Sequence, residues 1–199
     1  MPTHPAASDS PRAGDAPRQP FFGVPAWVVV ALALLALPAV AMRFTDEVAW
    51  TGSDFVVAAL LLFGTGLTYE LVARRSHAIA YRVAVAMAVV GALLLVWVNL
   101  AVGMIGSEDH PANLLYLGVL AVGVVGAGLA RLRPRGMALA MLASAAAMGI
   151  VAVVTLVAGW GAPAHRPLEV LLLNGLFALP FLGAAWLFRR SDDRAAPPR

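Results

Sequence analysis

The chain has 199 residues, of which 61% are hydrophobic and only 13% charged; its 14 basic residues are all arginines and, against 11 acids, leave a net charge of +3. Soluble domains carry about 25% charged residues, so this composition excludes an ordinary soluble domain. The arginines sit at the ends of apolar runs and form no polar basic face, which excludes a nucleic-acid binder. The lack of cysteine excludes disulfides, thiol catalysis and thiolate metal sites.

A helix that crosses a bilayer needs about 20 mainly apolar residues. In chain order, a Pro-rich tail over 1–20 precedes a first apolar run over 22–42. The others cover 55–73, 83–105, 114–130, 137–158 and 170–188, and a polar tail over 191–199 follows. Stretches such as VVGALLLVWV are apolar on all sides, without the alternation of a barrel strand, and predict helices. The fold class expected is therefore an all-α, polytopic transmembrane bundle of six helices, with both tails disordered. The first run carries an ambiguity. Pro38 followed by Ala39-Val40-Ala41 resembles a signal peptide with an A-x-A cleavage site. The long apolar stretch and the distance to the upstream arginines favour an uncleaved anchor; cleavage would leave five spans.

The connections at 43–54, 74–82, 106–113, 131–136 and 159–169 are short and polar. Short loops force antiparallel neighbours, which predicts three consecutive helical hairpins. Twelve arginines fall on one side of these spans and only Arg43 and Arg166 on the other. The positive-inside rule then puts both termini in the cytoplasm and leaves an acidic outer face. The three helices that run from that face inward share a layout. They start at Thr51-Gly-Ser-Asp54, which fits a capping box, at Asp109-His-Pro111, and at Arg166-Pro167-Leu-Glu169; they end in Arg74-Arg75, Arg131-Leu-Arg133 and Arg189-Arg190. Acids at helix starts and cations at helix ends suit the helix dipole, so the pattern needs no internal repeat.

Polar residues inside the runs are the candidates for chemistry. Asn99 and Asn174 lie in the outer halves of the third and sixth runs. A lone amide is costly in hydrocarbon, so both are expected to point inward and bond other helices, each other included. They serve as helix adhesion or, alternatively, as the lining of a cavity open to the outer face. Glu70, beside Tyr69, is the acid inside a span; Arg74 four residues on offers an ion pair, and a proton or cation role is the alternative. At the outer face Asp54, Glu108, Asp109 and His110, with Asp46, Glu47, His165 and Glu169, form a carboxylate-rich surface that matches no metal motif. Trp27, Trp50, Trp160, Trp186 and Tyr81 read as interfacial anchors, and Trp97 as packing within the bundle. Ser144 lacks the context of a nucleophile, and no phosphate-loop, zinc-helix or dinucleotide fingerprint occurs. No cofactor and no metal is expected.

The stretch W-V-N-L-A-V-G-M-I-G-S-E-D-H-P-A-N-L-L-Y at 97–116, with S-D-F at 53–55, F-G-T-G-L-T-Y-E-L-V-A-R at 63–74 and R-L-R-P-R-G-M at 131–137, resembles a group of small, uncharacterised bacterial inner-membrane proteins with six predicted spans. The resemblance covers roughly 45–190 and implies a polytopic helical protein of the inner membrane, with no activity, substrate or cofactor attached. Arginine without lysine, and abundant Ala and Gly, also suit a GC-rich bacterial genome. The expected function is a non-enzymatic membrane bundle or accessory subunit. A small transporter or channel with an outward-facing polar cavity is the alternative. The lipid bilayer is the expected partner, with a second membrane protein or self-association left open.

Overall fold

A computed structural model describes residues 25–160 and 167–193. Six helices account for most of them: α1 (Ala26–Ala41), α2 (Gly52–Ala73), α3 (Ile79–Ala101), α4 (Leu115–Leu129), α5 (Pro134–Ala158) and α6 (Pro167–Asp193), with a 3₁₀ turn over Pro111–Leu114 leading into α4. There is no strand among the described residues. The helices α2, α3, α5 and α6, and α4 together with its 3₁₀ turn, are long and apolar enough to cross a membrane. The first is different. Its 16 residues rise about 24 Å, short of a hydrocarbon core of about 30 Å. Trp27 lies against Gly66 of α2, and α2 continues past that point to Ala73. Residues 22–24 of the expected first run, the A-x-A question's upstream tail, residues 161–166 and residues 194–199 lie outside the described residues.

Helices α2, α3, α5 and α6 start three or four residues ahead of the apolar runs that announce them, whereas α1 and α4 stay within theirs. The start of α2 is fixed by the expected capping box. The Asp54 amide donates to Thr51 Oγ1 (3.4 Å), and the Thr51 amide donates to Asp54 Oδ2 (2.7 Å). Helix α5 begins at Pro134, at the helical position where a missing N–H costs nothing. Residues 191–193, expected in a disordered tail, continue α6. There Arg135 Nε is ion-paired to Asp192, tying the start of α5 to the end of α6. The third run also continues past the end of its helix. The helix stops at Ala101, and Gly103 and Gly106, both at φ 70°, turn the chain back. Met104 and Ile105 are apolar because they plug the end of the bundle, where both are buried, not because they belong to a span.

Helix α5 is the most buried of the candidate spans. Its buried residues Met137, Met141, Ser144, Met148, Val151 and Thr155 are spaced four and three apart, the seam of a knobs-into-holes contact. It packs on α4 and α6, and α6 packs in turn on α3; α2 lies on α3 and α1 on α2. The sequence neighbours α3 and α4 meet only slightly. In lipid there is no hydrophobic drive to pair apolar helices, so small residues that let backbones close up decide the neighbours. A Cβ on Gly126 of α4 would come within 2.7 Å of the Ala140 Cβ on α5, and one on Gly91 of α3 within 2.6 Å of the Pro180 Cβ on α6.

The α4–α5 turn corrects the reading of Tyr81. Arg131 and Leu132 are both left-handed, at φ 49° and 59°, a conformation that costs an L-residue roughly 1–2 kcal/mol. The Leu132 amide bonds the Ala127 carbonyl (3.2 Å) and the Arg131 amide that of Gly128 (3.0 Å), closing the end of α4. The Leu132 carbonyl is taken by the Tyr81 hydroxyl at 2.8 Å. Tyr81 is 1% exposed and stacks edge-on with Phe188, so it braces the turn from within and is no interfacial anchor. Trp27, half-buried, lies against α2, on Gly66 and edge-on to Phe63. Trp186 remains half-exposed, with the Arg190 guanidinium 3.6 Å over its ring. Trp97 stacks on Trp50, ring centroids 5.8 Å apart.

Candidate functional site

The polar groups gather at the acidic end of the bundle, around a residue that the sequence does not single out. Asn113, 4% exposed, sits in the 3₁₀ turn. Its Oδ1 accepts the amides of Met104 (3.1 Å) and Ile105 (2.9 Å), and its Nδ2 donates to the Ser107 carbonyl (2.7 Å) and, more weakly, to that of Glu108 (3.5 Å). One side chain thus holds the returning loop. The turn itself is started by His110. Its Nδ1 accepts the Ala112 amide at 3.2 Å, and its ring lies 6.1 Å from that of Trp160. Glu108 and Asp109 are exposed beside it.

Asn99 and Asn174 do point inward, and each finds its own partner. Asn99 Nδ2 donates to the Asn113 carbonyl at 3.3 Å. Asn99 Oδ1 is shut off from solvent and meets no donor among the described residues. Asn174, 3% exposed, accepts the Tyr116 hydroxyl at Oδ1 (3.1 Å) and donates from Nδ2 to the Val170 carbonyl one turn back (2.9 Å). That closes the α4–α6 contact with a buried bond. Replacing Asn174 by leucine should leave the Tyr116 hydroxyl buried without an acceptor and cost about 1–2 kcal/mol. Adding Tyr116→Phe should then recover most of the loss. Thermal unfolding of the two single variants and the double in detergent closes the cycle; additive losses would mean that the pair does not act as a unit.

Two cavities adjoin these groups. The first, about 470 Å³, opens at the acidic end and is lined by Asn99, Glu108, Asp109, His110, Asn113 and Tyr116 with neighbouring leucines. The second, about 360 Å³, is apolar apart from the hydroxyls of Thr65, Thr68 and Ser144. It runs between α2, α3, α4 and α5 where α3 and α4 part. Val96 and Leu120 line both. Asp54 borders a separate hollow of about 390 Å³ with Trp50 and Trp97.

The remaining candidates lie elsewhere. Glu70, near the arginine end, accepts Arg74 Nε (3.0 Å) and Nη2 (2.8 Å), the helix-surface pair its spacing suggests. Its neighbour Tyr69 is half-buried against the core. Among the described residues no three acids or histidines stand close enough to hold a metal ion; His165 lies outside them. Sequence reasoning missed Asn113 and Tyr116. A polar residue two positions after Pro111 hints at a capping role, but a tyrosine inside an apolar run gives no sign of its partner. No family model, curated protein or solved structure matches the chain.

Proposed function

We propose that the chain is a non-enzymatic accessory bundle of the bacterial inner membrane, with both termini in the cytoplasm and the acidic end outside. The distribution of its arginines, twelve at one end and two at the other, supports the orientation through the positive-inside rule. The Tyr116–Asn174 bond carries the functional reading. A conduit needs polar groups in succession along its path. Here the deeper amide is spent on a buried contact, and the cavity next to the one at Asn99 is lined almost wholly by apolar side chains. Binding another membrane component suits such a molecule better than passing ions.

Native cysteine is absent, so single-cysteine labelling tests the orientation without a background. His77→Cys and Ser107→Cys lie in opposite loops, and both residues are exposed. In intact cells a membrane-impermeant maleimide should label position 107 and reach position 77 only after permeabilisation. The reverse pattern overturns the orientation. The second reading, a small transporter or channel for an ion or small solute, draws on the 470 Å³ cavity at Asn99. It requires solute flux in reconstituted vesicles that Asn99→Leu abolishes while the variant still folds.

A further inference from the structure

We propose that the apolar crevice where α3 and α4 part is a binding site for one anionic phospholipid. An acyl chain lies in this cavity of about 360 Å³, and the phosphate sits among Arg75, Arg82, Arg131 and Arg133 at its end. This deepens the accessory-bundle reading by naming a membrane component that the bundle binds. It rests on that reading only in taking the chain to span a bilayer, and it holds for either orientation.

The crevice is lined on α2 from Leu60 to Val72 and on α3 from Val85 to Val96, and it reaches Leu132 in the α4–α5 turn. Eleven residues of helix rise about 16 Å, close to the roughly 15 Å of one leaflet of hydrocarbon. It therefore runs from the arginine end to about the middle of the membrane. Leu60, 70% exposed, and Val124, 73% exposed, both line it, so its wall is part of the outer surface of the bundle, where lipid has access. Only the hydroxyls of Thr65, Thr68 and Ser144 interrupt its apolar lining, which suits an alkyl chain.

The arginines decide which lipid. Leu132, at the end of the crevice, lies between Arg131 and Arg133 in the chain. Arg75 follows Val72 by one turn, its amide bonded to the Val72 carbonyl at 3.1 Å. Arg82 precedes Val85 by one turn of α3, and residues three apart share a helix face. Each element at that end of the crevice thus brings arginine to it within one helical turn. The elements are tied together there. The Tyr81 hydroxyl, on the residue before Arg82, donates to the Leu132 carbonyl at 2.8 Å, and the Arg75 charge is near enough to act on that hydroxyl. All four arginines are exposed, and none has an ion pair among the described residues. The described acid side chains at this end, Glu70 and Asp192, are already paired with Arg74 and Arg135. Four like charges held around one opening repel one another and call for an anion. Guanidinium groups grip phosphate bidentately, and basic groups between spans at the membrane surface hold anionic lipid heads. A zwitterionic head would bring its own cation among the arginines, and a free phosphate would leave the crevice unfilled.

The test uses the full chain in phosphatidylcholine nanodiscs doped with a phosphatidylglycerol that bears a photoactivatable diazirine midway along one acyl chain. Expected adducts fall on the lining segments of α3 and α4, around Ala88 to Val96 and Leu120 to Ala127. Unlabelled phosphatidylglycerol competes, whereas phosphatidylethanolamine and chainless glycerol phosphate do not. Arg131→Gln with Arg133→Gln, at exposed positions, lowers labelling about thirtyfold, about fivefold for each arginine lost. Arg43→Gln removes an exposed charge at the opposite end and leaves labelling unchanged. Ala92→Phe, on the crevice lining, blocks it. Thermal unfolding checks that each variant is folded, and the exposed arginine pair carries the test if Ala92→Phe is not. Equal competition by phosphatidylethanolamine or glycerol phosphate, unchanged labelling in the arginine pair, an equal loss in Arg43→Gln, or adducts spread over the outer faces of α1 and α6 would each overturn the proposal. Nanodisc labelling is blind to orientation in the cell, so its failure and a reversed maleimide pattern are told apart.

Discussion

Asn113→Ala should lower stability by about 3 kcal/mol, the largest loss expected from removing one polar side chain in this protein. The amides of Met104 and Ile105 are buried and have Asn113 Oδ1 as acceptor. Alanine leaves both without it, and each orphaned buried donor costs about 1–3 kcal/mol. Smaller losses follow at the Ser107 and Glu108 carbonyls, which water can reach more easily. For a chain of this length the change corresponds to a fall in Tm of about 10 °C, measured by thermal unfolding in detergent. Asn113→Asp separates the two halves of the side chain: it keeps the acceptor for both amides and loses the donor. Its second oxygen faces the Ser107 carbonyl in place of the donor, so it should also destabilise, but without orphaning the two amides. Hydrogen exchange at Met104 and Ile105 should rise sharply in the alanine variant and little in the aspartate one. An alanine variant as stable as the parent would mean that the returning loop is held by the packing of Ile105 alone.

How far this end of the molecule is legible in the sequence depends on the kind of interaction. Local chemistry reads well. Thr51 and Asp54 are three residues apart and form the capping box, Glu70 and Arg74 are four apart and form the ion pair, and Pro111 and Pro134 open helical turns where a proline belongs. Each is settled within one turn of backbone. Ends set by apolar content read less well, because a helix continues through its polar flanks while hydropathy stops at the last apolar residue. Ile79 and Asp193 both lie beyond the runs that announce their helices. The 83–105 run misleads for the opposite reason: Met104 and Ile105 are as apolar as a span residue, yet Gly103 has already turned the chain.

Helix neighbours are not legible at all. A soluble helix advertises its buried face by contrast with a polar one. Here Val124, 73% exposed, and Val119, 1% exposed, are the same residue on one helix, and nothing in composition tells them apart. The same holds for the partners of the two asparagines. That Asn99, half-buried, and Asn174, buried, are both bonded follows from the cost of an amide in hydrocarbon. That one finds the backbone of Asn113 and the other the hydroxyl of Tyr116 depends on the 3₁₀ turn reaching α3 and the first turn of α4 reaching α6. The crevice has the same origin: α3 parts from its chain neighbour because it fits α6 more closely.

Two glycines make that fit, Gly183 of α6 against the flexible end of Met87 and Gly91 of α3 against the rigid ring of Pro180, and a substitution at Gly91 should disrupt the packing of the pair most. Gly91→Leu places a Cβ 2.6 Å from the Cβ and 3.3 Å from the Cγ of Pro180, inside contact distance of a ring that has no rotamer to retreat to. Either α3 or α6 must move, at a cost of about 3 kcal/mol, the upper part of the range for overpacking. Alanine is the sharper probe because it adds only the offending atom. Gly91→Ala should cost about 2 kcal/mol in the parent, although alanine is the better helix former by about 1 kcal/mol. Pro180→Gly removes the opposing Cβ, and in that background Gly91→Ala should become neutral or stabilising. A difference of that size between the two backgrounds is the interaction energy of the contact. Gly149 of α5 is the control, since nothing lies within 4 Å of the position its Cβ would take. Gly149→Ala should stabilise by about 0.5–1 kcal/mol through helix propensity alone. If Gly91→Ala behaved like Gly149→Ala in unfolding experiments, the α3–α6 approach would be looser than drawn. The separation of α3 from α4, and the crevice between them, would then lose its cause.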